Sequence, residues 1–404
     1  LTQLLTNRHH ILVGDVMTQL KGLAPKSVHC IVTSPPYFGL RNYGTEQWEG
    51  GDPLCNHLPL RANGDDSSGL EGSKASQSHR QEGFKGNTCP KCGATKVDRQ
   101  LGLEKTPELY IKRLVKIMRA ARRVLRDDGS LWLNLGDSYW GSWGNSGNRP
   151  QLDGETRGQR ERESEYLPRG GYDNHRERPA TSFKVPGLKN KDLIGIPWMA
   201  AFALRQDGWW LRSDVIWSKP NTMPESVEDR PAKSHEYVFL LTKNSDYYYD
   251  VEGVREQTRN RRTVWTISTT ASQVSHFAVF PPQLPLVAIM ASTSGHGVCP
   301  ECGAPWNRIK DEEGRTAGWA AACVCKKSIE TVPATVLDLF HGSGTTGAVA
   351  EYLERRYIGI ELNPEYVELY DARCAEVRRS IIGGDSQVKD VADDSQINLF
   401  QEET

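Results

Sequence analysis

Two stretches far apart in the chain combine residue types that can do chemistry together. The first is Asp338-Leu339-Phe340-His341-Gly342-Ser343-Gly344-Thr345-Thr346-Gly347, between an apolar run and a helix-type run. Its glycines let the backbone pass close to a ligand, and the helix that follows opens with free N–H groups. Glu361 ends the next apolar run, 19 positions after Gly342, where a carboxylate can bind ribose hydroxyls. The second stretch is Thr33-Ser34-Pro35-Pro36-Tyr37. Consecutive prolines fix φ and cannot donate, so the carbonyls around them are free to accept. Ser34 adds a hydroxyl and Tyr37 a flat face. This set suits the exocyclic amine of a nucleobase, whose lone pair is delocalised into the ring. Hydrogen bonds from its N–H to the Ser34 hydroxyl and the Pro35 carbonyl favour a tetrahedral, nucleophilic nitrogen, and Tyr37 can stack on a base flipped out of a duplex.

The nine cysteines supply a third chemistry. Cys299-Pro300-Glu301-Cys302 and Cys323-Val324-Cys325 offer four thiolates, enough to close a tetrahedral zinc site with no open position. Cys55-Asn56-His57 and Cys89-Pro90-Lys91-Cys92 offer three sulfurs and one nitrogen for a second site, with His79 as an alternative ligand. Each zinc would fold a polar insert that has little core of its own. Cys-x-x-Cys also serves redox catalysis, but the pairing of clusters favours zinc.

The elements that must position these groups follow from periodicity. Residues 9–33 read as strand, helix, strand. Residues 106–126 read as a helix capped by Thr106 with Pro107 in its first turn, presenting Leu109, Leu114, Ile117, Met118, Ala121 and Leu125 on one face. Asp127-Asp128-Gly129 then breaks it before a strand at 130–135. A helix is expected over 191–206 and strands over 209–218, 235–243, 335–340 and 357–362. Recurring strand–helix–strand order makes this an α/β sheet.

At 404 residues the chain can bury a full enzyme core without disulfides. Hydrophobic residues are only 37%, so long solvated insertions are expected. A net charge of −1 means any surface for a polyanion must be local. No apolar run is long enough to span a membrane. The first residues, LTQLLTNRHH, lack the apolar stretch of a signal peptide, so a cytoplasmic location is expected.

The Gly-x-Gly-x-x-Gly turn alone would also suit NAD. With the preceding Asp-x-Phe it resembles the S-adenosylmethionine (SAM) motif of methyltransferases. Taken with Ser-Pro-Pro-Tyr, the chain resembles the site-specific DNA amino-methyltransferases of the N4-cytosine/N6-adenine family. The catalytic motif precedes the cofactor motif, which resembles the permuted β group. Gly14-Asp15, the helix–strand unit at 106–136, Lys219-Pro220-Asn221 and the stretch His276–Pro281 also match, the last departing from the commoner His-Pro wording.

The resemblance implies a SAM-type Rossmann-like sheet with zinc-ribbon-type and polar insertions. Asp338, Phe340, Gly342 and Gly344 would line SAM, joined by Thr33 and Thr345. Glu361 would bind its ribose, Asp15 would lie near its adenine, and His276–Pro281 would close over its methionine side. Ser34, Pro35, Pro36 and Tyr37 would hold the target base. A serine at the first motif position usually accompanies cytosine N4, and an aspartate adenine N6. Methylation at cytosine C5 uses a Pro-Cys thiolate, and none of the 22 prolines precedes a cysteine.

The expected organisation places the catalytic half of the core at 1–50 and a Cys/His insert at 51–104. A core helix and strand follow at 105–140, then a polar mobile insert at 141–190, with Trp143, Tyr166 and Tyr172 among its arginines. Core strands and target recognition occupy 191–290, a four-cysteine, zinc-ribbon-like insert 291–328, the SAM half 329–380 and a disordered tail 381–404. Arg255, Arg259, Arg261 and Arg262 could grip phosphates or read guanine in double-stranded DNA. A restriction endonuclease would be a separate partner. RNA methylation, or zinc-ribbon nucleic-acid binding without activity, are the rival functions.

Overall fold

The computed structural model describes residues 8–40, 43–57, 87–141, 185–256, 259–269, 279–325 and 330–382. Expectations for His79, Trp143, Tyr166, Tyr172, the insert over 142–184, residues 270–278 with His276, and the tail beyond 382 lie outside them. The chain divides into two compact units, Tyr43–Gln100 and the remainder.

The larger unit is an eight-stranded sheet between two helical layers. In chain order it contains β1 (His9–Val13), α1 (Val16–Gly22) and β2 (Val28–Thr33). The smaller unit holds an antiparallel pair of short strands, β3 (Gln47–Glu49) and β4 (Thr95–Val97). The larger unit resumes with α2 (Pro107–Val124), β5 (Leu125–Leu135), α3 (Ile196–Gln206), β6 (Trp210–Ser218), β7 (His235–Thr242), β8 (Val264–Thr266) and α4 (Gln283–Ser292). The β9 (Trp306–Lys310) and β10 (Thr316–Ala321) hairpin follows, then β11 (Thr335–Asp338), α5 (Thr345–Tyr352), β12 (Arg356–Glu361), α6 (Pro364–Val367) and α7 (Tyr370–Ile382). The sheet order is β1-β12-β11-β2-β5-β7-β6-β8. The first five strands are parallel, and β7 runs antiparallel to both β5 and β6.

Alternation along the central strands divides the core. Ile31, Leu131, Leu133, Phe239 and Leu241 pack on the α1–α3 side. Cys30, Val32, Trp132, Val238 and Leu240 pack on the side of α4, α5 and α7. A strand buried on both faces must be apolar at odd and even positions alike. This explains why β2 and β5 read as near-continuous apolar runs.

The helix layers also fix where a ligand can sit. The crossover from β11 through α5 to β12 covers one face, whereas α2, between β2 and β5, covers the other. Neighbours β11 and β2 therefore send their chains to opposite faces. That is a topological switch point, and the crevice at its carboxyl ends is where such sheets bind ligands.

Three expectations are corrected here. Helix α2 ends at Val124 and β5 already begins at Leu125, opposite Val28 in β2; the register then shifts before Ser130 pairs with Cys30, so residues 126–129 fall at an irregularity in the ladder. Tyr110, not Leu109, lies on the buried face of α2; Leu109 is 47% exposed. Helix α3 starts only at Ile196, since Gly195 caps it in the left-handed region at φ 83° and Pro197 fits its first turn. Among the described residues no helix is long and apolar enough to cross a membrane.

Candidate active site and cysteine clusters

The cofactor-type turn leaves the end of β11. Asp338 is buried, and its carboxylate accepts from Phe340 N at 3.0 Å, Thr33 Oγ1 at 2.7 Å and Thr346 Oγ1 at 2.8 Å. Burial pushes its carboxyl up to about 7. Gly342 N donates to Glu361 Oε2 at 2.7 Å, and Asn363 N donates to Glu361 Oε1 at 2.9 Å. Burial raises the Glu361 carboxyl too. Gly342 has φ 55°, and a Cβ there would meet open space; at Gly344 it would strike Tyr370 and His341. The first glycine thus leaves a cradle, and the second permits tight packing. Asp15 follows β1, whose Val13 is level with Glu361, and its side chain caps α1 by accepting from Thr18 N at 3.0 Å. Phe340 is half-buried beside the turn. The Thr345 hydroxyl is engaged elsewhere: buried Arg373 donates to it from Nε at 3.2 Å and Nη2 at 3.0 Å.

The proline turn leaves the end of β2, the neighbour of β11. Tyr110 OH donates to Pro36 O at 3.0 Å, which ties the turn to α2. The Tyr37 ring lies on the backbone at Gly136, where an added Cβ would come within 2.5 Å of the ring. Tyr37 OH donates to Glu236 Oε2 at 2.6 Å. Ser34 Oγ, half-buried, is 3.5 Å from Tyr37 OH. Burial, followed by the Glu236 charge, pushes the Tyr37 phenol well above its usual range, so it remains a donor. The arrangement can present hydroxyl and carbonyl acceptors to an amine beside an aromatic face.

Both cysteine clusters assemble. The ligand atoms of Cys55, His57, Cys89 and Cys92 lie within 4.8 Å of one another, as do those of Cys299, Cys302, Cys323 and Cys325. Tetrahedral zinc with Zn–S bonds of about 2.3 Å separates its sulfurs by roughly 3.8 Å; Cys55 and Cys89 Sγ are 3.8 Å apart. Four donors around one point, all of zinc-binding type, fit a closed structural site. The second cluster also grips the core: Arg126 donates to Cys302 O, and the His29 ring is 3.1 Å from Gly303 O.

Residues 28–372, most of the chain, match the model of the N6/N4 DNA methylase family. The chain belongs to that family. It is similar to the Type II methyltransferase M.Cfr9I of Citrobacter freundii, 38% identical over 366 residues, which cover 88% of this chain and 84% of the relative. It is similar also to M.SmaI of Serratia marcescens, 37% identical over 378 residues, 91% of each. Among solved structures, PvuII DNA methyltransferase (cytosine-N4-specific) superposes with a TM-score of 0.50 at 15% identity, covering 96% of this chain and 93% of that one. That likeness is one of fold: the sheet and helix layers are those of the SAM-dependent DNA methyltransferases.

The arginine cluster of this DNA methylase is not a bare basic patch. Arg255 pairs with Glu252 at 2.9 Å, and Arg262 with Glu256 at 3.3 Å. Arg261 is 3.9 Å from Glu256 and lies over the Trp265 ring. The backbones of Arg259 and Glu256 exchange two hydrogen bonds, each at 3.0 Å. The Arg262 side chain is the most exposed of the paired three. Sequence reasoning missed Asn134, Lys219 as a charge partner, and Glu236, which all meet at the proline turn. Their signal was a polar residue inside an apolar strand, in LWLNL, and a carboxylate where β7 begins.

Proposed function

We propose that this DNA methylase transfers a methyl group from SAM to the exocyclic amine of a base flipped out of double-stranded DNA, with cytosine N4 as the target. The carrying observation is the junction of the two turns. Ser34 and Asp338 stand at the carboxyl ends of neighbouring strands, and Thr33 donates to Asp338 across the switch point.

The residues present fit SAM. Asp15, Asp338 and Glu361 gather carboxyl groups at three strand ends, with an open cradle at Gly342. Such a site suits ribose hydroxyls and a sulfonium cation, and disfavours a pyrophosphate. When bound, SAM supplies an electrophilic methyl group. The chain supplies the rest. Glu361 offers a carboxylate to the ribose and Asp15 borders the adenine. Ser34 and the Pro35 carbonyl accept the amine N–H bonds and restore density to the nitrogen. The Tyr37 ring holds the base in plane. Orientation in a dry site carries much of the acceleration, and no covalent bond to the enzyme is needed. Serine at position 34 supports cytosine. The two cysteine clusters hold structural zinc in this reading.

The test is mass spectrometry of nucleosides from unmethylated bacterial DNA incubated with the protein and SAM. N4-methylcytosine is expected. N6-methyladenine would keep the amine chemistry and overturn the choice of base. SAM binding with neither product on several DNAs would overturn DNA as substrate and point to RNA.

A further inference from the structure

Beside the proline turn lies a cluster of polar side chains outside both the proline turn and the cofactor turn. Asn134 projects from β5, Glu236 from β7, and Lys219 follows β6. Glu236 Oε2 accepts from Tyr37 OH at 2.6 Å and from Asn134 Nδ2 at 3.1 Å. Its Oε1 accepts from Lys219, whose ammonium also lies over the Trp217 ring at 4.1 Å. Both side chains of this ion pair are about 15% exposed, 16% for Lys219 and 15% for Glu236. Holding a carboxylate there has a desolvation cost that needs such partners.

Hydrogen-bond direction is what this carboxylate decides. An ionised carboxylate can only accept. The Tyr37 proton therefore points at Glu236, which leaves the Tyr37 oxygen lone pairs facing back towards Ser34, 3.5 Å away. A Ser34 proton directed there leaves the Ser34 oxygen as an acceptor, with one lone pair facing Asn134 Nδ2 at 3.4 Å and the other for a substrate N–H. The same rule turns the Asn134 amide nitrogen towards Glu236 and Tyr37, 2.9 Å from the latter, leaving the buried Asn134 Oδ1 without a partner.

We propose that Glu236, with Lys219 as its counter-ion, is a positioning residue that sets the proton direction along Ser34 and Tyr37, so that Ser34 meets the target amine as an acceptor. This rests on the function proposed above. The arrangement also fixes the ring. The phenol is held by Glu236 and Asn134, and the face rests on Gly136. In Glu236→Gln the new amide can donate, so the Tyr37 proton is free to turn towards Ser34 and the direction is lost.

The experiment measures kcat, the DNA KM and SAM affinity on unmethylated bacterial DNA for Glu236→Gln, Tyr37→Phe, the double variant, Glu236→Asp and Ser34→Ala. Glu236→Gln and Tyr37→Phe should each lower kcat by about 10- to 100-fold, the scale of a hydrogen bond to a charged group. SAM affinity and DNA KM should stay within about twofold, since the loss falls on turnover. The double variant should be no worse than the poorer single, because both break one chain. Glu236→Asp should recover part of the loss. Additive losses, or a Tyr37→Phe protein with full turnover, would overturn the inference. Tyr37→Phe keeps the Glu236–Lys219 pair, so it decides the matter if Glu236→Gln does not fold. Full activity in Ser34→Ala would instead overturn the amine site itself. An inactive Ser34→Ala beside fully active Glu236→Gln and Tyr37→Phe would overturn only the proton-direction role.

Discussion

Thr33 Oγ1 donates to Asp338 Oδ1 at 2.7 Å, joining the last residue of β2 to the last residue of β11 where both are almost fully buried. One hydrogen bond thus ties the strand that carries the proline turn to the strand that carries the cofactor turn. Thr33→Val keeps the shape and leaves that carboxylate oxygen with only the Phe340 N–H. A stability loss of about 1–3 kcal/mol is expected in urea unfolding, from a buried acceptor left short of a partner. SAM affinity should fall with it, because the Asp338 carboxylate loses its orientation. Unchanged unfolding and unchanged SAM titration would remove Thr33 from this role.

Glu361 holds the Gly342 N–H at 2.7 Å while facing the same crevice. Glu361→Gln replaces one acceptor oxygen with a donor, so one of the amide positions no longer accepts from its backbone N–H. SAM affinity is expected to drop by about tenfold or more, since hydrogen bonds to charged groups are the stronger class. Isothermal titration with SAM, without DNA, reads this directly. Wild-type affinity would show that the carboxylate serves the turn alone.

The clusters predict metal content. Elemental analysis should find two zinc ions per chain, one for each set of four ligands. Cys302→Ser should lower that to one, and should loosen the contacts of Arg126 with Cys302 O and His29 with Gly303 O. Cys92→Ser should remove the other ion and leave the four-cysteine site loaded. Since structural zinc contributes folding energy, chelation should lower the melting temperature. A metal-free protein of unchanged stability would mean that these are reduced thiols.

Much of this arrangement could be read beforehand because it is local. The turns at 33–37 and 338–347 each bring their own backbone and side chains within a few residues, and the Cys-x-x-Cys pairs do likewise. What escaped depends on pairing across the sheet. Asn134 and Glu236 are 102 positions apart and meet only because β7 inserts antiparallel beside β5. No spacing rule encodes that register. The arginines at 255–262 read as a basic patch because their glutamate partners, Glu252 and Glu256, had no predicted geometry. The break expected at Asp127-Asp128-Gly129 takes the form of a register shift between β2 and β5, not of a gap before the strand; Lys26 and Lys243 both pair with Asp127 there, and Arg126 with Asp128.

His341 gives the site an acid limit. Burial lowers its imidazole from 6.5 to about 4, and its Nδ1 lies 2.8 Å from Tyr357 OH. Because the folded pKa is depressed, the folded state favours the neutral ring. The unfolded chain takes up a proton first, at about 6.5, so the contribution is fully present above that pH. It is lost as pH falls towards 4, and amounts to about 3 kcal/mol over the window. Melting temperature should therefore decline between pH 6.5 and 4, and His341→Gln should show a shallower decline by about one proton's worth of slope. The same substitution removes a ring packed among Gly344, Gly359 and Tyr370, so the variant starts from a lower stability at pH 7. Equal slopes in the two proteins across that window would show that other groups carry the acid sensitivity and that His341 titrates alike in both states.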